Sequence, residues 1–362
     1  MKTIRKNKFI ARGKKRVAKS RSSAAGRSSL SPAADWKLRR SRGLQVIESS
    51  ALGSLRWLVH GFSTRMGGTS ELAAAHAEEA RAGSSRARGS AEPALNLGFT
   101  DWDASERVQA NRHRFFHALG ADGWRVVTLR QIHSDIVHLV ESPRTKTSTS
   151  AGASDLPATG SLAIDSPNGD APQGDALITR APGTLLVVQT ADCVPILFAD
   201  TRHRAVAAIH SGWRGTVRRI AEKTLGRMQM EFGTRPRDVI AAIGPAIGPE
   251  CYEVGHEVVQ EFATAFPNAL DWFEGPFEAL ASSDGDANWL PWLTMRPPGH
   301  APPPPRAQLD LIAANRAILE GAGVPSEQIS SSGFCTACRT DLLFSYRRER
   351  ITGRLMAAIG IR

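Results

Sequence analysis

Cys193 stands immediately before the apolar run Val194 to Ala199, and His210 immediately after a second run, Ala205 to Ile209. The polar stretch from Asp200 to Arg204 between them predicts a buried β-hairpin. In an antiparallel pair the start of one strand lies beside the end of the next, so the intervening sequence closes to a short distance. A thiolate and an imidazole that meet in this way can bind zinc, and a third ligand would leave one position open for water or substrate. Buried cysteine is also ordinary packing material, and that simpler reading stands beside the first.

His133 is the candidate third ligand. In Val127-Thr-Leu-Arg-Gln-Ile-His133 a period of two places Leu129, Gln131 and His133 on one strand face, turning from apolar to polar along its length. The alternative is a hydrogen-bonded, partly buried histidine. Two glycine-containing turns carry an arginine each: Ser211-Gly-Trp-Arg214-Gly-Thr216, between a strand and a helix, and Ser63-Thr-Arg65-Met-Gly-Gly68. Free N–H groups at a helix start attract anions, although either turn can equally be structural. The Gly and Pro residues between Ile243 and Gly255 force a non-helical path that either lines a pocket or crosses a sheet edge. Cys335-Thr-Ala-Cys338 has no second C-x-x-C and no thioredoxin-like context, so it reads as incidental spacing. Three convergent ligands with no second cluster predict about one zinc per chain.

The elements that must position these residues are mixed. A helix is expected over Ser105 to Leu119, ended by Gly120, and another over Thr216 to Glu231, stopped by Gly233 and Pro236. Arg125 to Val140 alternates as a strand does; Leu309 to Gly321 reads as a helix, and Leu342 to Tyr346 with Arg354 to Ile359 as a final hairpin. No regular βαβ beat appears. The fold class is therefore α+β: one domain over 44–362, with helices packed outside β-sheets.

Of the 362 residues, 41% are hydrophobic, enough for a sizeable core, and no apolar run is long enough to span a membrane. Four cysteines make no disulfide framework in a chain of this length, which points to a reducing cytoplasm. The net charge of +11 is unevenly divided. Residues 1–43 hold 15 Lys/Arg against Asp35 alone, whereas the rest holds 31 against 34 acids. The basic stretch reads as a disordered tail, with order beginning near Gln45. It is an anion-binding tail, a transit peptide or an upstream start, and any nucleic-acid contact is confined to it. Insertions rich in Ala, Ser, Gly, Pro or charge are expected at 73–92, 142–172 and 281–306.

Taken together, His60-Gly-Phe-Ser-Thr-Arg65, Leu95-Asn-Leu-Gly98, Arg130-Gln-Ile-His133, Gly174-Asp-Ala-Leu-Ile-Thr179, Thr190-Ala-Asp-Cys193-Val-Pro195, His210-Ser-Gly-Trp-Arg-Gly215, Ile243-Gly-Pro-Ala-Ile-Gly248 and Phe344-Ser-Tyr-Arg-Arg348 resemble one family. It is that of the YfiH-like proteins, formerly labelled polyphenol oxidases or laccase-domain proteins and now regarded as purine nucleoside phosphorylases. Each piece is short, but the ordered set is specific. The resemblance implies a single-domain mixed α/β sandwich and a zinc site made of His133, Cys193 and His210. It also implies phosphorolysis of adenosine, inosine, guanosine and 5′-methylthioadenosine with inorganic phosphate, and adenosine deamination as a second activity.

Phosphorolysis needs an anion held against C1′ of the ribose, so Arg65 and Arg214 are expected to contact phosphate or substrate. Asn96 and Gln131 are expected to supply hydrogen bonds. Asp192, beside Cys193, either serves the chemistry or orients a histidine. Two other enzyme classes compete. A copper polyphenol oxidase needs several copper ions, and the ten histidines include no His-x-His pair. A cysteine hydrolase would use Cys193 as nucleophile with a histidine base. A nonenzymatic RNA-binding protein rests on the tail alone.

Overall fold

A computed structural model describes residues 34–73, 93–142, 171–275 and 306–362. Two six-stranded sheets carry the fold. The first runs, in spatial order, Trp36–Ser41, Leu44–Ser49, Leu58–Ser63, Leu355–Ile361, Thr184–Thr190 and Arg125–Val127. The second runs Ile329–Ser331, Val239–Ile243, Val194–Asp200, Ala205–Ser211, Ala176–Thr179 and Val137–Leu139. Neighbours are antiparallel within each sheet except at three edges: Arg125–Val127, Val137–Leu139 and Ile329–Ser331 pair in parallel.

The sheets stack face to face. Phe62, Leu186, Val188, Ala357 and Ile359 of the first pack against Leu177, Leu197, Val206, Ala208 and Ala242 of the second in one buried cluster. Helix Ser105–Leu119 covers the outer face of the first sheet through Phe115, Ala118 and Leu119. Helices Ile220–Phe232, His256–Ala265 and Leu311–Gly321 cover the outer face of the second. Central strands thus have apolar neighbours on both sides, which is why Val194–Asp200 and Ala205–Ser211 are buried along their whole length and read as continuous apolar runs. The expected sandwich with helices outside the sheets is the architecture found.

Several local expectations change. The segment from Trp36 to Ser41 is a strand paired with Leu44–Ser49, so order begins before Gln45. The turn between them takes positive φ at Arg42 (48°) and Gly43 (82°), matching the twist of a tight hairpin. Trp36 is buried against Phe62, with ring centroids 5.4 Å apart. Tail charge hid this strand, in which Lys37 and Arg40 are exposed and Arg39 pairs with Glu48 at 2.7 Å. The helix expected from Thr216 is two, Trp213–Val217 and Ile220–Phe232, broken where Arg219 takes φ 58°. The expected C-terminal hairpin does not form. Leu355–Ile361 instead inserts between Leu58–Ser63 and Thr184–Thr190, and Tyr346–Glu349 is a helical turn. Residues 1–33 and nearly all of the three expected insertions lie outside the described residues.

One crossing decides where the site is. The chain leaves the first sheet at Thr190 and enters the second at Val194, so Ala191, Asp192 and Cys193 bridge the two sheets at one end of the sandwich.

Candidate metal centre

The hairpin register is the one the spacing implied: Ile209 faces Ile196 and His210 faces Pro195, which sets His210 beside the residue preceding Val194. One ligand atom from each of His133, Cys193 and His210 lies within 4.8 Å of the other two. His133 Nε2 is 3.9 Å from Cys193 Sγ, and the two imidazoles meet edge to face at 5.0 Å between centroids. A Cβ on Gly212 would stand 2.9 Å from His133 Cδ2 and 3.1 Å from Cys193 Sγ. Only glycine leaves room for the trio here. Two imidazoles and a thiol at this spacing fit a tetrahedral ion with one open position.

His133 arrives by a different route from the one expected. The strand stops at Val127, and residues 131–134 wrap around Asp175. The backbone N–H groups of Ile132 (3.3 Å), His133 (3.1 Å) and Ser134 (2.6 Å) all donate to the Asp175 carboxylate. These are donors that a strand ladder would otherwise use, and His133 takes φ 57° to aim them together. Asp175 Oδ1 also lies 2.8 Å from His210 Nδ1, which turns the other ring nitrogen, Nε2, toward Cys193. One fully buried carboxylate therefore orients two of the three ligands. Burial alone would raise its pKa, but hydrogen bonds from His210 and Ser134 outweigh that and hold it at about 2. Asp192 orients no histidine: its carboxylate accepts from Thr336 Oγ1 at 2.6 Å and from Arg347 N at 2.7 Å.

Without a metal the trio forms a charge pair. Burial pushes the Cys193 thiol up, but His210 and His133 overcome it and bring the pKa down to about 6. Burial disfavours charge on His210, yet the thiolate and Asp175 raise it to about 9. Alkylation of Cys193 by iodoacetamide in metal-free protein should therefore rise as pH passes through about 6, well below the ordinary cysteine value of about 8.5. Stoichiometric zinc should suppress it. A covalent adduct with substrate in place of this protection would favour the hydrolase reading.

The trio forms one wall of a cavity of about 530 Å³, within the range of small-molecule sites. Leu129, Ile247 and Leu311 supply apolar surface, and Tyr252, Arg347 and Arg354 complete the lining. Arg347 lies over the Tyr252 ring at 5.4 Å. Burial lowers the Arg354 pKa, so its charge is poorly solvated and favours an anionic partner.

The other anticipated contacts are dispersed. Gln131 lines the cavity, but its amide is engaged by the Gln189 backbone, donating to the carbonyl and accepting from N–H at 2.7 Å each. Asn96 is fully buried and accepts from Arg354 N at 2.9 Å, so it reaches the cavity through that arginine. Arg214 is exposed and stacks on Trp213 at 4.4 Å. Ser211 and Thr216 spend their hydroxyls on each other, on Asn315 and on Gly212 O. Arg65 is 4% exposed and does not line the cavity. It pairs with Glu349 at 2.8 Å and donates to Thr340 O at 2.6 Å. These partners take the place of the phosphate expected of it. Sequence reading passed over Arg354, Arg347 and Asp175, although Gly174-Asp and Tyr346-Arg347 lie inside recognisable motifs; nothing local marks which acid or arginine reaches the site.

The family model described as "Multi-copper polyphenol oxidoreductase laccase" matches residues 59–362. A purine nucleoside phosphorylase of Deinococcus radiodurans is 34% identical over 80% of this chain and 90% of its own length. Adenosine deaminase RL5, from an unknown prokaryotic organism, is 39% identical over 51% of this chain and 61% of its own. Some of the matched relatives are thus spanned over only about 60% of their length. The crystal structure of YlmD from Geobacillus stearothermophilus superposes with a TM-score of 0.63 at 30% identity, covering 91% of this chain and 99% of that one. With its motifs in order, its sandwich shared with YlmD and its match spanning both sheets, the chain belongs to the YfiH/YlmD family of multi-copper polyphenol oxidoreductase laccase-type proteins.

Proposed function

We propose that this protein is a zinc-dependent purine nucleoside phosphorylase with adenosine deaminase activity, acting on adenosine, inosine, guanosine and 5′-methylthioadenosine. One observation carries the reading: the His133, Cys193 and His210 donor set and two arginines, Arg347 and Arg354, line the same cavity. A relative named purine nucleoside phosphorylase and another named adenosine deaminase support it. His133, Cys193 and His210 would hold the zinc, which when bound would supply Lewis-acid polarisation.

The rest of the chemistry belongs to the chain. Arg354, with its backbone fixed by Asn96, binds and orients phosphate. A phosphate oxygen then bonds to C1′ while the C1′–N9 bond breaks; the purine leaves with the electron pair and takes a proton, giving ribose 1-phosphate. Leu129, Ile247 and Leu311 exclude water from the purine face. Gln131 holds the Gln189 wall in place. In deamination, water bonds to C6 and ammonia leaves; no anion is required. Four cysteines in a chain of 362 residues are too few for a disulfide framework, the basis for proposing a reducing cytoplasm. Among the described residues no helix is long and apolar enough to cross a membrane.

Incubating metal-quantified protein with adenosine, with and without phosphate, should yield adenine and ribose 1-phosphate only when phosphate is present. Inosine should form in both. Arg354→Ala should depress phosphorolysis by about 30- to 150-fold, the loss of one charge-assisted contact of roughly 2–3 kcal/mol. Deamination should fall far less. Absence of both products, or oxygen consumption with a phenolic substrate, would sink the proposal.

A further inference from the structure

The cysteines whose spacing looked incidental meet a third. Cys335 and Cys338 stand at the two ends of a turn closed by Arg339 N donating to Cys335 O at 3.1 Å. Cys251, at the end of the helical turn Pro249–Cys251, reaches the same point from 87 residues before Cys338. Cys251 Sγ and Cys338 Sγ are 3.4 Å apart, and all three sulfurs lie within 4.8 Å of one another. Tetrahedral zinc with Zn–S bonds of about 2.3 Å separates its sulfurs by roughly 3.8 Å, inside this range. The C-x-x-C turn lacked a second C-x-x-C; its partner is a single cysteine brought in by a parallel bridge between Ala246 and Cys335.

Burial raises the Cys251 and Cys335 thiols above the ordinary cysteine range, so without an ion they stay protonated. Gly248 N–H donates to Cys335 Sγ at 3.1 Å, the kind of contact that fixes a metal-bound sulfur. A Cβ on Gly248 would stand 3.3 Å from Cys335 Sγ, so the glycine lets the backbone approach the sulfur closely. Ile247 and Ala337 cover the cluster with apolar surface. A disulfide would use two of these sulfurs and strand the third. A metal uses all three.

We propose that Cys251, Cys335 and Cys338 bind a second, structural zinc ion, separate from the one at His133, Cys193 and His210. Each thiol gives its proton to solvent as its sulfur binds the ion, and no electron is transferred. The ion ties the 244–252 segment to the 334–339 turn. The first carries Ile247 and Tyr252 of the cavity wall, and the second carries Thr336, which holds Asp192. The proposed role is to fix the wall behind the active site.

The test is zinc stoichiometry on the full chain, stripped under reducing conditions, reloaded with zinc chloride and freed of excess by gel filtration. Wild type should retain about two equivalents, Cys193→Ala about one, and Cys335→Ser with Cys338→Ser about one. Adding the two serine substitutions to Cys193→Ala should remove the rest. Cobalt(II) titration of Cys193→Ala, which needs no serine variant to fold, should show thiolate-to-cobalt charge transfer that Cys251→Ala weakens. Failure of Cys193→Ala to retain zinc or to show that band overturns the proposal. So does zinc that survives loss of Cys335 and Cys338 in the Cys193→Ala background, or a Cys251–Cys338 disulfide whose reduced form takes up no metal.

Discussion

Cys193→Ala should lose the ion at the trio and, with it, about 10³-fold or more of both phosphorolysis and deamination. The substitution removes the anionic member of the donor set and leaves two neutral imidazoles, too few for a tetrahedral site that keeps one position open. Lewis-acid activation is worth several kcal/mol, and about 4 kcal/mol corresponds to that factor. The fold should survive, because Cys193 is only half-buried at the inter-sheet turn and Asp175 still holds His133 and His210. Metal analysis and turnover belong on the same preparation. Retention of zinc at this site with unchanged rates would remove Cys193 from the donor set.

Arg65→Ala should act on the fold. Its guanidinium and the Glu349 carboxylate are 5% and 9% exposed and 2.8 Å apart, and Arg65 also lies over the Phe344 ring at 4.8 Å. Truncating one partner leaves Glu349 buried without its counter-charge, a loss of about 3–5 kcal/mol. For a domain of this size the melting temperature should drop by on the order of 10 °C. Phosphorolysis and deamination should fall together, in proportion to the folded fraction. Pairing the change with Glu349→Ala should recover part of the stability, because the stranded charge is gone. A selective loss of phosphorolysis at unchanged melting temperature would instead return Arg65 to the phosphate site.

The contrast between Arg65 and Arg354 shows how far types and spacing reach. Both are arginines close to a glycine in sequence, Arg65 before Gly67 and Arg354 after Gly353. One is buried against an acid 284 residues away, and the other lines the cavity, its backbone fixed by Asn96 from 258 residues away. No local pattern separates them. Charge type is visible in a sequence, whereas partner choice is settled when distant elements pack.

What the sequence determined by itself was therefore local or periodic. Apolar runs on both sides of Asp200–Arg204 dictated the hairpin, and antiparallel register then forced Cys193 and His210 together. Gly120 and Gly233 ended their helices with φ of 73°, as glycine after an apolar helical stripe does. Unbroken apolar strands required cover on both faces, hence the layered fold. Tertiary structure alone decided the rest. His133 left its strand because Asp175, 42 residues on, captured its backbone N–H. Trp36 turned a basic stretch into an edge strand by burying itself on Phe62. Cys251 met Cys335 and Cys338 because their segments continue two strands, Val239–Ile243 and Ile329–Ser331, that pair in parallel. Each of these depends on contacts whose free energy exists only after the sheets have stacked, and periodicity carries no record of such contacts.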